Sequence, residues 1–209
     1  MKKSKPPAKL GRPRAFDADE ALDRALEVFW RSGYEGASLS DLTEAMGITR
    51  PSLYAAFGNK EELFRKALDR YMERADGVTS ALEEPSARVA IETFLTRAVS
   101  GQCGQGKSRG CLLVQGALSC SEASEHVRKE LAERRGQAEA AIRKRLIRAK
   151  EEGGLPADTD PADLARYYAT VSHGLSVQAA SGTTPEELLK VVEAAMRAWP
   201  ENSNVGERR

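Results

Sequence analysis

The chain has 209 residues, more than a common single-domain size of about 100–150, so one large domain or two small ones fit it. Its 41% apolar and 30% charged residues are the balance of a globular chain able to bury a core, and 6% aromatic content leans towards helix. No run approaches the ~20 apolar residues of a membrane helix, no apolar stretch follows the basic N-terminus as in a secretory signal, and three cysteines at spacings of eight and nine form no disulfide framework, so the expectation is a reduced, cytoplasmic protein.

The formal charge of +1 conceals a local asymmetry. Residues 1–14 carry six bases and no acid, whereas residues 15–70 carry seven bases against eleven acids. Pro6 and Pro7 favour a disordered arm. A solubilising tail is the bland reading of residues 1–9. Gly11-Arg12-Pro13-Arg14 holds Arg12 and Arg14 on an extended, proline-stiffened stretch suited to probing a phosphate or a minor groove.

The first helix opens on a capping box of Asp17 and Glu20 with Phe16 in the staple position. Leu22, Ala25, Leu26 and Phe29 form its buried stripe, and Gly33 is its stop. From Ser38 to Lys60, two short helices, a glycine turn and the start of a further helix occupy 23 residues. Ser38 and Asp41 are a start signal, Leu39, Leu42 and Met46 follow at helical spacing, and Gly47 supplies a left-handed stop. Thr49 caps the next helix and Pro51 lies in its first turn, where a missing N–H costs little. Two helices crossed by a glycine-containing turn are a helix-turn-helix, whose second helix offers its N-terminal end to base edges in the major groove.

Asn59 caps a fourth helix with Glu62 three residues on, apolar at Leu63, Phe64, Ala67, Leu68 and Tyr71. No linker precedes it, so it can transmit movement between domains. Pro85 restarts the chain into a helix through Ile91, Phe94, Leu95 and Val99, followed by a glycine-rich connection from Gly101 to Lys107. An apolar helix is expected at about 109–119, and a long charged one over 124–152 with Val127, Leu131, Ile142, Leu146 and Ala149 on one side. Asp160-Pro161 opens another, closed by Gly182, and Thr184 to Glu187 is a capping box that opens the last. That helix is apolar on more than one face, which a partner subunit can cover. The tail from Glu201 reads as disordered. Nine or ten helices and no strand make the fold all-α.

GRPR at 11–14, Phe16-Asp17, the helix ALDRALEVFWRSGYEGAS and then ITRPSLYAAFGNKEELF resemble the tetracycline-repressor (TetR) family, in its AcrR-like branch. The resemblance is strongest from residue 11 to about 70; beyond that it is one of helical layout. It implies that Ser38 and Thr49 present hydroxyls or helix-start amides to phosphates. Arg50 is then the base reader, because a guanidinium can pair bidentately with guanine. Ser52 lies beside it, Tyr54 offers its hydroxyl to a phosphate, and Lys60 offers a point charge. The family usually has a small residue where Pro51 stands and a histidine where Ala56 stands, which puts a phosphate contact at position 56 in doubt.

Cys103, Cys111 and Cys120 lie in the middle of the implied effector domain. With no paired-cysteine motif and only His126 and His173 as histidines, metal ligation has little support, and neither cofactor nor metal is expected. The cysteines read either as small core hydrophobes or as thiol sensors, for which Cys103, near Lys107 and Arg109, is the candidate. A lone helical His173 reads as satisfied or exposed rather than as a pocket group. Tyr167 and Tyr168 fit either pocket or interface.

The expected organisation is a basic arm at 1–14, a DNA-binding domain at 15–60, an effector and dimerisation domain at 61–200 and a tail at 201–209. The expected function is that of a homodimeric, non-enzymatic regulator, a repressor that leaves a palindromic operator when a small molecule binds among Phe94, Leu112, Leu113, Gln115, Leu118 and Tyr168. A thiol-based sensor on the same scaffold is the alternative. An all-helical ligand-binding or catalytic protein without DNA is the distant one.

Overall fold

A computed structural model describes residues 16–103, 110–118 and 124–201, the side chains of residues 76, 117 and 118 aside. Local chemistry sets most element boundaries. α1 (Ala18–Gly36) starts where the Asp17 carboxylate accepts from the amides of Asp19 and Glu20. Glu20 turns away to pair with Arg24 at 2.5 Å, and Phe16 packs its ring against Phe57. Gly33 breaks the helical geometry with φ 70°, yet the helix resumes as far as Gly36. The glycine is a kink rather than an end.

α2 (Leu39–Met46) has the full capping box: Asp41 N donates to Ser38 Oγ at 3.0 Å and Ser38 N donates to Asp41 Oδ2 at 3.1 Å. Gly47 stops it in the left-handed region, φ 67°. α3 (Arg50–Phe57) follows its Thr49 cap, and α4 (Lys60–Thr79) follows Asn59, whose side chain accepts from Glu62 N at 2.9 Å. A 3-10 turn, η1 (Ser80–Glu83), leads to α5 (Ala87–Cys103), which starts two residues after Pro85 and carries helix into the glycine-rich stretch as far as Cys103. α6 (Leu112–Leu118), α7 (Glu125–Glu151), α8 (Pro161–Ala180) and α9 (Pro185–Met196) complete the chain. The described residues thus hold nine α-helices, one 3-10 turn and no strand.

Two apolar cores form. The first takes Leu26, Phe29, Leu42, Leu53, Leu63, Phe64 and Leu68 from α1–α4, and with them Leu112, Leu113, Val127 and Leu131 from α6 and α7. The second joins Ile91, Phe94 and Leu95 of α5 to Ile142 and Leu146 of α7, Tyr168 and Leu175 of α8, and Leu188 and Val192 of α9. α6 and the start of α7 therefore complete the apolar core of α1–α4 as well as meeting the bundle behind it.

A Cβ on Gly47 meets only ordinary contact, Arg24 Nη1 at 3.5 Å, so its substitution isolates backbone conformation. Gly47→Ala is expected to lower the unfolding free energy by about 1–2 kcal/mol, read as a lower urea midpoint at constant slope. Gly77→Ala, inside α4 with open space around it, is expected to raise stability by roughly 0.5–1 kcal/mol.

Candidate nucleic-acid interface

The crossing of α2 and α3 brings the start of one helix beside the other. Arg50 Nη2 donates to Ser40 Oγ at 2.8 Å, so the guanidinium at the head of α3 is steadied from α2. Thr49 Oγ1 accepts from Ser52 N at 3.4 Å and lies 3.0 Å from Ser52 Oγ. Ser38, Thr49, Arg50 and Tyr54 are exposed, and Ser52 half-buried. Leu53 and Phe57 turn into the core.

The two helix starts differ in charge. The Ser38 hydroxyl, and secondly its amide, hold the Asp41 carboxyl below the usual carboxylate range. At the head of α2, an incoming phosphate therefore meets amides beside a fixed negative charge. α3 has no acid in its first turn, so its free amides meet no such opposition.

Lys60 is not the free-standing charge expected of it. Its ammonium lies 4.6 Å from the centre of the Tyr34 ring, and burial, opposed by Glu35, pushes its pKa below the usual lysine range. Lys66, over Phe57 with Nζ donating to the Phe57 carbonyl at 3.3 Å, is similarly engaged. Arg12 and Arg14 lie outside the described residues, as do Lys107, Arg109 and Cys120.

Behind this surface α4 is fastened on both sides. Towards α1, Asp23 pairs with Arg70 at 2.8 Å and with Arg74 at 2.7 Å. Towards α7, Glu61 meets His126 at 3.0 Å, Arg65 meets Glu130 at 2.9 Å and Asp69 meets Arg134 at 2.7 Å. A node at residues 110–111 gathers four elements. Trp30 Nε1 of α1 donates to the Gly110 carbonyl at 3.1 Å, the Tyr71 hydroxyl of α4 donates to Cys111 Sγ at 3.2 Å, and Cys111 N donates to Ser176 Oγ of α8 at 2.6 Å. The Tyr71 hydroxyl is pushed well above its ordinary pKa, first by burial and then by Cys111.

The residues expected to line an effector pocket are divided between the cores. Phe94 and Tyr168 belong to the rear one, Leu112 and Leu113 to the front one, and half-buried Gln115 sits beside Gly110. The Leu118 side chain lies outside the described residues. Tyr168 is fully buried, its hydroxyl has no hydrogen-bond partner among the described residues, and burial pushes its pKa to about 12. Tyr167 is 40% exposed. His173 is half-buried, its pKa lowered by burial and then by Arg135, with Glu139 opposing. Cys103 is half-buried against the rear core. Trp30, Tyr71 and Ser176 are contributions that patterning missed; an indole next to the buried stripe, in need of an acceptor, was the available signal.

The family model for bacterial regulatory proteins of the tetR family matches residues 21–67, and the model for a tetracyclin repressor-like C-terminal domain matches residues 88–191. The transcriptional repressor ComR of Escherichia coli is 34% identical over 194 residues, which are 91% of this chain and 92% of the repressor. The chain belongs to the tetR family. Among solved tetR-family structures, a cysteine-substituted CifR in complex with a 26-base-pair operator DNA is 50% identical, with a TM-score of 0.87 over 90% of this chain and all of that one. A regulator from a Rhodococcus species is 43% identical, with a TM-score of 0.61 over 89% of this chain and all of its own. The tetR-family fold thus extends beyond the helix-turn-helix to the whole helical layout.

Within this tetR-family chain the α1–α4 fastening has a calculable pH response. Arg70, by hydrogen bond, and Arg74 hold Asp23 below its ordinary 3.8 against an opposing burial effect. Its contribution is therefore complete above 3.8 and is lost as pH falls through the lower folded value. Asp23→Asn is expected to cost roughly 1 kcal/mol at pH 7, the pair being about one-third exposed. The gap between the two melting curves is expected to close in strong acid.

Proposed function

We propose that the chain is a homodimeric repressor that reads a palindromic operator through α3 and leaves it when a small molecule engages the C-terminal helices. The observation that carries this is the exposed head of α3 joined, through α1, α4 and the node at 110–111, to the helices behind it. Arg50 is the proposed base reader. Ser38, Thr49, Ser52 and Tyr54 are its phosphate-contacting neighbours, Lys60 adds charge from its seat on Tyr34, and Arg12 and Arg14 reach along the groove from the arm. We take residues 1–14 as arm, 15–60 as DNA-binding unit, 61–200 as effector and dimerisation unit and 201–209 as tail, with regulation in the cytoplasm rather than catalysis as the task. The front core, which crosses the boundary at residue 60, is what lets one unit act on the other.

The effector is proposed to enter at the seam of the two cores, between Phe94 and Tyr168 on one side and Leu112, Leu113 and Gln115 on the other. Occupation of that seam favours a dimer whose α3 helices no longer match major grooves about 34 Å apart. Exposed Tyr167, Val177 and Val191 on α8 and α9 support a second copy of the chain as their cover.

A gel shift on DNA from the gene's own upstream region tests the reading. Arg50→Ala is expected to weaken operator binding by about 1–3 kcal/mol and to relax preference at one base pair per half-site. Lys60→Ala is expected to weaken all sequences alike and to reduce the salt slope by about one per subunit. Unchanged affinity and base preference in the Arg50 variant rule it out as the reader.

Thiol chemistry is the second reading, favoured by the Tyr71–Cys111 hydrogen bond at a point shared by α4, α6 and α8. The substituted cysteines of CifR include two that are eight residues apart, the spacing of Cys103 and Cys111 here. Under this reading Cys103→Ser abolishes release from DNA by electrophiles and leaves DNA affinity near normal, since serine keeps the size but forms no thiolate. Release that survives replacement of all three cysteines assigns the trigger to the non-covalent ligand.

A further inference from the structure

Arg145 interrupts the apolar stripe of Ile142, Leu146 and Ala149 on α7 and is only 4% exposed. Its Nη2 donates to the carbonyls of Glu84 at 3.0 Å and Pro85 at 2.7 Å, which fixes the plane of the guanidinium. Nε and Nη1 are buried and have no hydrogen-bond partner among the described residues. A guanidinium has five N–H donors and keeps its proton, so a charge is held out of water with part of its donor set unmatched. Such a placement is costly unless an anion compensates it.

The same residue borders a groove of about 450 Å³ between η1 and α7. Lys144 and Arg148 stand on its α7 wall, so three cations converge there. Two exposed carboxylates offset Arg148 in part, Glu83 of the lining at 3.7 Å and Glu152 at 3.9 Å, but among the described residues neither forms an ion pair with Lys144 or Arg145. Leu82 and Ala141 provide an apolar strip, and Ser80 a hydroxyl. The volume falls within the range of about 300–1,000 Å³ usual for small-molecule sites, so an inorganic ion would leave most of it unfilled.

We propose that this groove is a binding site for a small organic anion, with a carboxylate or phosphate monoester received by Arg145, Lys144 and Arg148 and an apolar body resting on Leu82 and Ala141. It is separate from the seam between the cores. Thr79, the last residue of α4, is part of its wall, and Arg97 ties the neighbouring turn by donating to the Gly77 carbonyl at 2.7 Å and to Ser80 Oγ at 3.1 Å. An occupant therefore touches α4 at the end about 30 Å from Lys60. On the reading of the chain as a DNA-binding regulator, this gives the anion a hold on the helix that leads to the interface; the binding itself does not depend on that reading.

Calorimetric titration of the full chain without DNA, using phenyl phosphate, benzoate and uncharged benzyl alcohol, tests the site. At least one anion is expected to bind saturably, at one per chain, with benzyl alcohol at least tenfold weaker. Which anion binds more tightly distinguishes a phosphate from a carboxylate ligand. Lys144→Ala combined with Arg148→Ala is expected to weaken binding at least tenfold with an unchanged melting temperature, because both side chains are exposed. Arg145→Met is expected to abolish binding, and the double variant carries the test if that replacement unfolds the protein. Absence of saturable binding by either anion, equal binding of benzyl alcohol, or affinity undiminished in the double variant overturns the proposal.

Discussion

The indole of Trp30 reaches the Gly110 carbonyl, eighty residues further along the chain, and this bond lies where the core of α1–α4 admits Leu112, Leu113, Val127 and Leu131. Those four side chains are nearly or fully buried. Each such burial is worth roughly 1.5–3 kcal/mol, against a median of about 0–1 kcal/mol for an exposed ion pair. The attachment of α6 and α7 to the DNA-reading helices is therefore chiefly apolar, with the ion pairs along α4 supplying direction more than strength. Gly110 is indispensable to it: φ is +66°, and a Cβ there would stand 2.5 Å from the Ser176 carbonyl of α8. Only a residue without a side chain lets α8 approach so near.

Communication along the molecule follows from this attachment. α4 is pinned to α1 through Asp23 and to α7 through Glu61, Arg65 and Asp69. Movement of α7 relative to α1 must consequently rotate or slide α4, or break pairs on one of its sides. Packed interfaces of this kind switch between discrete arrangements rather than deforming smoothly. At the far end the Arg50–Ser40 hydrogen bond holds the guanidinium at the head of α3 in place, and a side chain held in advance loses less freedom when it meets a partner.

Features written in neighbouring residues were legible in the sequence. Ser38 with Asp41, Gly47, Thr49, Asn59 and Thr184 act within four positions of themselves, and the structure has each capping or stopping the helix expected. The all-helical fold followed from such signals, and the family from the resemblance carried by residues 11 to about 70. Gly33 was legible as a break, but not the resumption of helix after it. What depended on distant partners was not legible. Lys60 lies over Tyr34 because the kink in α1 turns that ring towards α4, where it also packs on Phe64. The intended pocket residues fell into two cores because α6 leans on α1, and a seven-residue helix is too short to announce which neighbour it will meet. Arg145 left a trace in the sequence as the one charge on the stripe Ile142, Leu146, Ala149. Its burial could not be distinguished from a side chain snorkelling to the surface.

The shared front core has a consequence for how the protein is made. A ribosome adding about 5–20 residues per second releases α1–α4 several seconds before Val127 and Leu131 emerge. Throughout that interval the nascent helix-turn-helix has a gap where α6 and α7 belong. The stretch that closes the gap lies within residues 88–191, the part matched by the C-terminal family model. A chain interrupted before residue 131 would therefore lack the apolar contacts that complete its DNA-binding unit, and a half-made protein would be poorly equipped to occupy the operator. Placing the last pieces of that core late in the sequence makes completion of the N-terminal helices depend on the C-terminal segment being already present.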